Sequence, residues 1–190
     1  ADNLSYSTIY MVTATDNEGC TATQMVPIEN QVELTGFFTT LENIDCHGAN
    51  TGTATINGKG GTEPYSYFWD PGVSNQTDPF AINLKAGDYR VTITDFRTCQ
   101  TVVLLTLTEP APLENLLSPK DVPCFGESTG QISAVPSGGI APYTFLWENG
   151  QTSKTLTNVL AETYSITLTD ANGCTRVDSM EIDQPDRGIG

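Results

Sequence analysis

Tyr89-Arg90-Val91-Thr92-Ile93-Thr94 alternates apolar and polar side chains, and Tyr164-Ser165-Ile166-Thr167-Leu168-Thr169 repeats the pattern. Successive side chains of a strand point to opposite faces, so period two with one apolar face predicts a half-buried β-strand. Turn chemistry follows in Asp170-Ala171-Asn172-Gly173, and again in Asp16-Asn17-Glu18-Gly19, where glycine supplies positive φ. Leu105 with Leu107, and Val26 with Ile28, then predict a closing strand, while Tyr65, Tyr67 and Trp69 share one face of another. No stretch has convincing helical periodicity. Short strands punctuated by Gly, Asn and Pro predict an all-β fold of Ig-like two-sheet sandwiches.

Working outward, the same landmarks recur. Cys46-His47-Gly48 aligns with Cys124-Phe125-Gly126, Gly60-Gly61 with Gly138-Gly139, and Pro64-Tyr65-Ser66-Tyr67-Phe68-Trp69 with Pro142-Tyr143-Thr144-Phe145-Leu146-Trp147, all at an offset of 78. Beyond Trp147 the offset drops to 75: Tyr89 matches Tyr164, Asp95 matches Asp170, Cys99 matches Cys174 and Pro110 matches Pro185. A three-residue deletion in a loop between Trp147 and Tyr164 accounts for the change. Tyr10, Asp16 and Cys20 keep the spacing of Tyr89, Asp95 and Cys99. Residues 1–31 therefore read as the end of an upstream copy, residues 32–110 and 111–185 as complete modules, and 186–190 as the start of a linker or a further module. Residues 1–31 cannot bury a sandwich face alone; they need upstream residues, or strands donated by another chain. Prolines at 110, 112 and 185 stiffen the linkers and lack the N–H that would extend a sheet. Repeats in tandem predict an elongated molecule.

Composition agrees. Charged residues are only 16% of the 190, and polar surface comes instead from hydroxyls and amides, including 28 Thr, whose branched side chain suits a strand. The net charge of −15 repels phosphate backbones and anionic lipid, which argues against nucleic acid as a partner. No apolar run reaches the ~18 residues of a bilayer-spanning helix, so membrane insertion is not expected. No signal peptide opens the sequence, which is uninformative if Ala1 lies mid-protein.

Five cysteines fit the repeat if each complete module bridges its own pair: Cys46 with Cys99, and Cys124 with Cys174, leaving Cys20 unpaired by truncation. Recurrent spacing favours disulfides over buried thiols and implies an oxidising compartment. Zinc is disfavoured: there is no CxxC, and the single histidine, His47, becomes Phe125 in the next copy.

No catalytic constellation is present, and no phosphate loop, nucleophile elbow or HExxH, so the chain is read as no enzyme and as carrying no cofactor. The aromatic set Tyr65, Tyr67, Trp69 and its copy Tyr143, Phe145, Trp147 could stack on sugars, but strict alternation suits a core better. Sugar contacts would fall rather on the loops Asp70–Asp78 or Glu148–Ser153. Asp16, Asp95 and Asp170, with linker acids such as Glu109 and Asp183, could hold Ca²⁺ between modules; a turn acceptor is the simpler role. Ser179 in Asp178-Ser179-Met180 fits a short Asp-Ser/Thr-apolar O-glycosylation signal, and Asn75-Gln76-Thr77 and Asn3-Leu4-Ser5 fit the N-glycan sequon.

The recurring residues resemble the SprB repeat of Bacteroidota surface proteins, whose pattern runs Cys-x-Gly, Gly-Gly-x-x-Pro-Tyr-x-Tyr-x-Trp, Gly-x-Tyr-x-Val-x-Val-x-Asp and Asn-Gly-Cys, closed by a proline linker. Two departures concern turns only: Asp95-Phe96-Arg97-Thr98-Cys99 lacks Asn-Gly, and Ala161-Glu162-Thr163-Tyr164 lacks the glycine before Tyr. The resemblance implies a long extracellular adhesin exported by the type IX pathway and acting in adhesion or gliding. Its repeats would serve as stalk or filament, with neighbouring repeats as partners. The alternatives are a module that itself binds surface polysaccharide or surface proteins, or the stalk of a secreted enzyme.

Overall fold

A computed structural model describes residues 8–28, 32–70 and 77–187. Among these there are fourteen strands and no helix: β1 (Thr8–Thr15), β2 (Thr21–Ile28), β3 (Thr35–Glu42), β4 (Gly52–Lys59), β5 (Ser66–Asp70), β6 (Phe80–Leu84), β7 (Gly87–Thr94), β8 (Gln100–Leu107), β9 (Glu114–Lys120), β10 (Gly130–Ser137), β11 (Thr144–Trp147), β12 (Thr155–Val159), β13 (Thr163–Thr169) and β14 (Thr175–Glu181). They form one two-stranded sheet, β1-β2, and four three-stranded sheets, β3-β4-β6, β5-β7-β8, β9-β10-β12 and β11-β13-β14. The fold is all-β, of Ig-like sandwich type. Its topology says so: two consecutive strands and the fourth make one sheet, and the third, fifth and sixth make the other, as A, B, E and C, F, G do in that architecture. Both sequence repeats have this order.

Contacts group the chain into two compact units, residues 1–38, 56–79 and 90–103, and residues 39–55, 80–89 and 104–190. The second unit contains a whole sandwich, β9 to β14. Its core is Leu117, Val122, Ile132, Ala134, Trp147, Leu156, Val159, Tyr164, Ile166 and Ile182, with Phe145 and Met180 packed at its margin. The alternation in β13 puts Tyr164, Ile166 and Leu168 inside and leaves Thr163, Ser165, Thr167 and Thr169 more open. Burying each large apolar side chain contributes roughly 1.5–3 kcal/mol. In the first unit, Tyr67, Trp69, Val91 and Ile93 are buried on the same alternation, and the Phe38 ring stands 6.3 Å from Trp69.

One hallmark was not read from the sequence. The Tyr164 hydroxyl donates to Leu160 O at 3.3 Å, and the Tyr89 hydroxyl to Lys85 O at 3.0 Å. A tyrosine at the start of the fifth strand, tied back to the backbone just upstream, is the tyrosine corner of Ig-like sandwiches. Burial, then the nearby Glu162 charge, raise the Tyr164 hydroxyl pKa, so the donor stays protonated at neutral pH.

The glycine pairs bend the chain before the Pro-Tyr strand. Gly138 and Gly139 have φ of 68° and 54°, and a side chain at Gly138 would collide with the Pro112 carbonyl. Tyr143 closes the bend by donating to Gly138 O at 2.6 Å, as Tyr65 does to Gly60 O at 2.7 Å. The Glu63–Pro64 and Ala141–Pro142 bonds are both cis. Seven residues separate β11 from β12 and nine separate β5 from β6.

Candidate functional site

The aromatic faces are structural. Trp147 is 1% exposed and Trp69 2%, and their indole N–H groups donate to Ser153 O and Asp78 O. Neither ring is open to a sugar. The loop Glu148–Ser153 is a tight turn, with Gly150 N donating to Trp147 O and Gln151 spending its amide on the Thr157 backbone. Of the other proposed loop, residues 71–76 lie outside the described residues, as do Asn75 of one sequon and Asn3-Leu4-Ser5 of the other.

The recurrent aspartates are turn acceptors. Asp170 Oδ1 accepts from Asn172 N and Cys174 N, both at 2.9 Å, and Oδ2 accepts from Ile140 N at 2.9 Å. Asp95 accepts from Cys99 N at 2.8 Å and Thr62 N at 2.9 Å; Asp16 accepts from Glu18 N and Cys20 N. Each carboxylate of a complete repeat thus pins its own turn to the residue after the Gly-Gly bend. Burial opposes ionisation of Asp95, but backbone donors from Thr62, Cys99 and Arg97, with the Arg97 charge, outweigh it and hold the carboxyl below its ordinary value. Glu109 is engaged elsewhere, accepting from Gly48 N at 2.6 Å and pairing with His47 at 3.1 Å. Among the described residues no group of three or more His, Cys, Asp and Glu is placed to hold a metal.

The cysteines require a correction. The expected bridges Cys46–Cys99 and Cys124–Cys174 are not formed. Cys46 is bonded to Cys174, 128 residues away, with Cα atoms 5.7 Å apart, and Cys20, Cys99 and Cys124 are exposed free thiols. The reason is where each cysteine sits on its sandwich. Cys174 immediately precedes β14, whereas the Cys124 turn is tied to the far end of β14, through Gly126 N to Gln184 Oε1 at 2.8 Å and Val122 N to Asp183 O. Seven strand residues at ~3.3 Å each separate the two by about 20 Å or more. A disulfide needs Cα atoms within about 7 Å. In the other copy Cys99 likewise precedes β8, while the Cys46 turn is capped by Glu109, beyond its end.

What the bridge joins is therefore the Cys-x-Gly turn of one sequence repeat and the Asp-to-Cys turn of the next. All of its parts lie in the second compact unit. Asn172 Nδ2 adds a 2.8 Å bond to Asp45 O beside the disulfide. A cleft of about 640 Å³ opens there, lined among others by Glu42, Asp45, Glu109, Pro110, Ile140 and Asn172. Sequence reading missed Asp45, Asn172 and the capping role of Glu109 and Gln184. The available signal was that Glu109 and Gln184 keep the offset of 75. Ser179 lies on β14, exposed and paired with Ser165 of β13.

Fold and junction together define a tandem Ig-like β-sandwich repeat. The family model described as the SprB repeat matches residues 38–74 and 116–152, two segments at the offset of 78 already seen in the sequence. Two segments of the chain are thus similar to the SprB repeat. Such a repeat is a surface or adhesion-type domain of a non-catalytic kind, and the disulfide is consistent with an extracellular or surface setting. No helix of the described residues is long and apolar enough to cross a membrane. Among solved structures, the chain is similar to the N-terminal eight Ig domains of Down Syndrome Cell Adhesion Molecule (14% identity, 96% of this chain, 29% of that one, TM-score 0.45). It is also similar to a C-terminal fragment of intimin in complex with the intimin-binding domain of the translocated intimin receptor (12% identity, 80% of this chain, 64% of that one, TM-score 0.38). An amphioxus IgVJ-C2 molecule is a third (15% identity, 81% and 98% coverage, TM-score 0.31). None of the curated protein sequences compared matches the chain.

Proposed function

We propose that this chain is a stalk segment of a large extracellular adhesin or filament, whose repeats act as spacers and carry no chemistry of their own. The repeats are taken as 32–110 and 111–185, with 1–31 belonging to a preceding copy and 186–190 leading onward. The observation that carries the reading is the covalent tie between consecutive repeats, Cys46 to Cys174. A spacer that transmits load gains from a bond that survives when the non-covalent contacts of a junction open. A module selected for binding a ligand has no need of one there. The resemblance to SprB repeats adds export by the type IX pathway, and adhesion or gliding as the process served. The partners are neighbouring repeats first, with surface polysaccharide or surface proteins reserved for other parts of the molecule. The test is the length of the natural protein in electron micrographs, before and after deletion of whole repeats. Each repeat removed shortens the particle by ~35–40 Å, as strand rise plus loops requires. A length indifferent to repeat number overturns the stalk.

A further inference from the structure

The three free thiols occupy the same two structural positions as the bridged pair. The turn position is held by Cys174, Cys99 and Cys20. In each, the aspartate four residues earlier accepts from the cysteine N–H, at 2.9, 2.8 and 2.9 Å, and donates its own N–H to the cysteine carbonyl at 3.0 Å. The residue before the cysteine has positive φ in all three: Gly173 at 82°, Thr98 at 67° and Gly19 at 86°. The socket position is held by Cys46 and Cys124. There the cysteine carbonyl accepts from Ala49 N or Glu127 N, and Gly48 or Gly126 has φ of 73° or 77°. A side chain from just after the sandwich's last strand, Glu109 or Gln184, caps the glycine N–H. One socket and one turn are joined in the structure, and they come from consecutive repeats. The remaining socket, Cys124, and the remaining turns, Cys99 and Cys20, are exposed.

We propose that each free thiol is one half of a further bridge of the same kind, so that the parent protein is stapled by a staggered ladder of disulfides. Cys124 bonds to the turn cysteine of the repeat that follows it. Cys99 bonds to the socket cysteine of the repeat that precedes it, and Cys20 to the socket one repeat earlier still. The partner is a neighbouring repeat of the same polypeptide, because the bridge in hand links consecutive repeats of one chain. The inference rests on the tandem-repeat reading above but not on any adhesive role. In each rung two thiols lose two protons and two electrons as the S–S bond forms. A protein disulfide of the thiol–disulfide oxidoreductase class accepts the electrons by exchange through a mixed disulfide and leaves as a dithiol.

The test is disulfide mapping of the natural, full-length protein, alkylated before extraction and digested without reduction, with a non-reducing gel beside it. The expected result is Cys46 joined to Cys174, and Cys124 joined to a peptide carrying an Asp-x-x-x-Cys turn. Cys99 and Cys20 are each joined to a Cys-x-Gly peptide, and the protein migrates as a single chain. Alkylated Cys99 or Cys124 overturns the ladder, as does a bridge within a repeat. Reducible multimers with Cys124 joined to another copy overturn the same-chain partner. If the thiols are alkylated while particle length still follows repeat number, the ladder fails and the stalk stands.

Discussion

At the residue scale, two side chains show how a turn is held when its sequence drifts. Thr98 stands where the other copies have glycine, yet keeps φ at 67°. A β-branched residue in the left-handed region carries strain of order 1–3 kcal/mol, and it persists because Asp95 fixes the turn from both sides. Thr98→Gly should therefore stabilise the protein by about 1 kcal/mol after the entropy cost of glycine, read as a higher urea midpoint with an unchanged slope. A destabilised variant would mean that the Thr98 side chain does more than tolerate its geometry. Asp95 itself makes an acid-sensitive hinge. Its folded pKa lies below the ordinary 3.8, so its contribution to stability is complete above that value and is lost as pH falls toward the folded pKa. Asp95→Asn should flatten the fall in stability as pH drops below the ordinary carboxylate value of 3.8, in denaturant titrations at each pH. An unchanged slope would assign the acid sensitivity to other carboxylates.

At the element scale, the strands were legible and one connection was not. Alternation in β7 and β13 gave the buried set directly, because a two-residue period leaves no other face for the Tyr-Val-Ile and Tyr-Ile-Leu rows. The Gly-Gly bend was legible as a bend, but not the reason both glycines are needed. Gly138 lies against the Pro112 carbonyl with φ of 68°, so Gly138→Ala meets both strain and backbone. It should cost at least about 2 kcal/mol in thermal or chemical denaturation, and a neutral result would show that the linker yields freely. The disulfide partners were misread because each repeat holds two cysteines at a repeating separation, which invites a bridge within it. What decides the matter is which end of the sandwich each turn occupies. That depends on the short return between Trp147 and Thr155, where the chain doubles back through a tight turn without strand periodicity. The antiparallel pairing of β10 with β12 and of β11 with β13 follows from that return, and it puts the Cys-x-Gly turn and the Asp-to-Cys turn at opposite ends.

At the scale of the whole molecule, the bridge changes what stability means for a repeat protein. Repeats stacked by non-covalent contact behave as a sum of their own stabilities and those of their junctions. A disulfide closing 128 residues restrains the unfolded chain as well, and the chain-entropy relation assigns such a loop about 5 kcal/mol. That figure rivals the net stability of a domain this small, so the junction should be among the last parts of the protein to separate. Replacing Cys46 and Cys174 together by serine avoids a new free thiol and removes only the tie. The variant should keep both sandwich cores, because Trp69 and Trp147 are buried within them and their indole N–H groups are held by Asp78 O and Ser153 O, not by the cysteine turns. Calorimetry should then show a lower transition temperature, and transitions that separate for the repeats where the bridged protein unfolds more nearly together. In the 190-residue chain, where Cys20, Cys99 and Cys124 are free thiols, reduction of the unaltered protein should reproduce the change, while the serine variant should not respond to reductant. A variant as stable as its parent, or one that still responds, would place the mechanical tie elsewhere and leave Cys46–Cys174 without the role its position gives it.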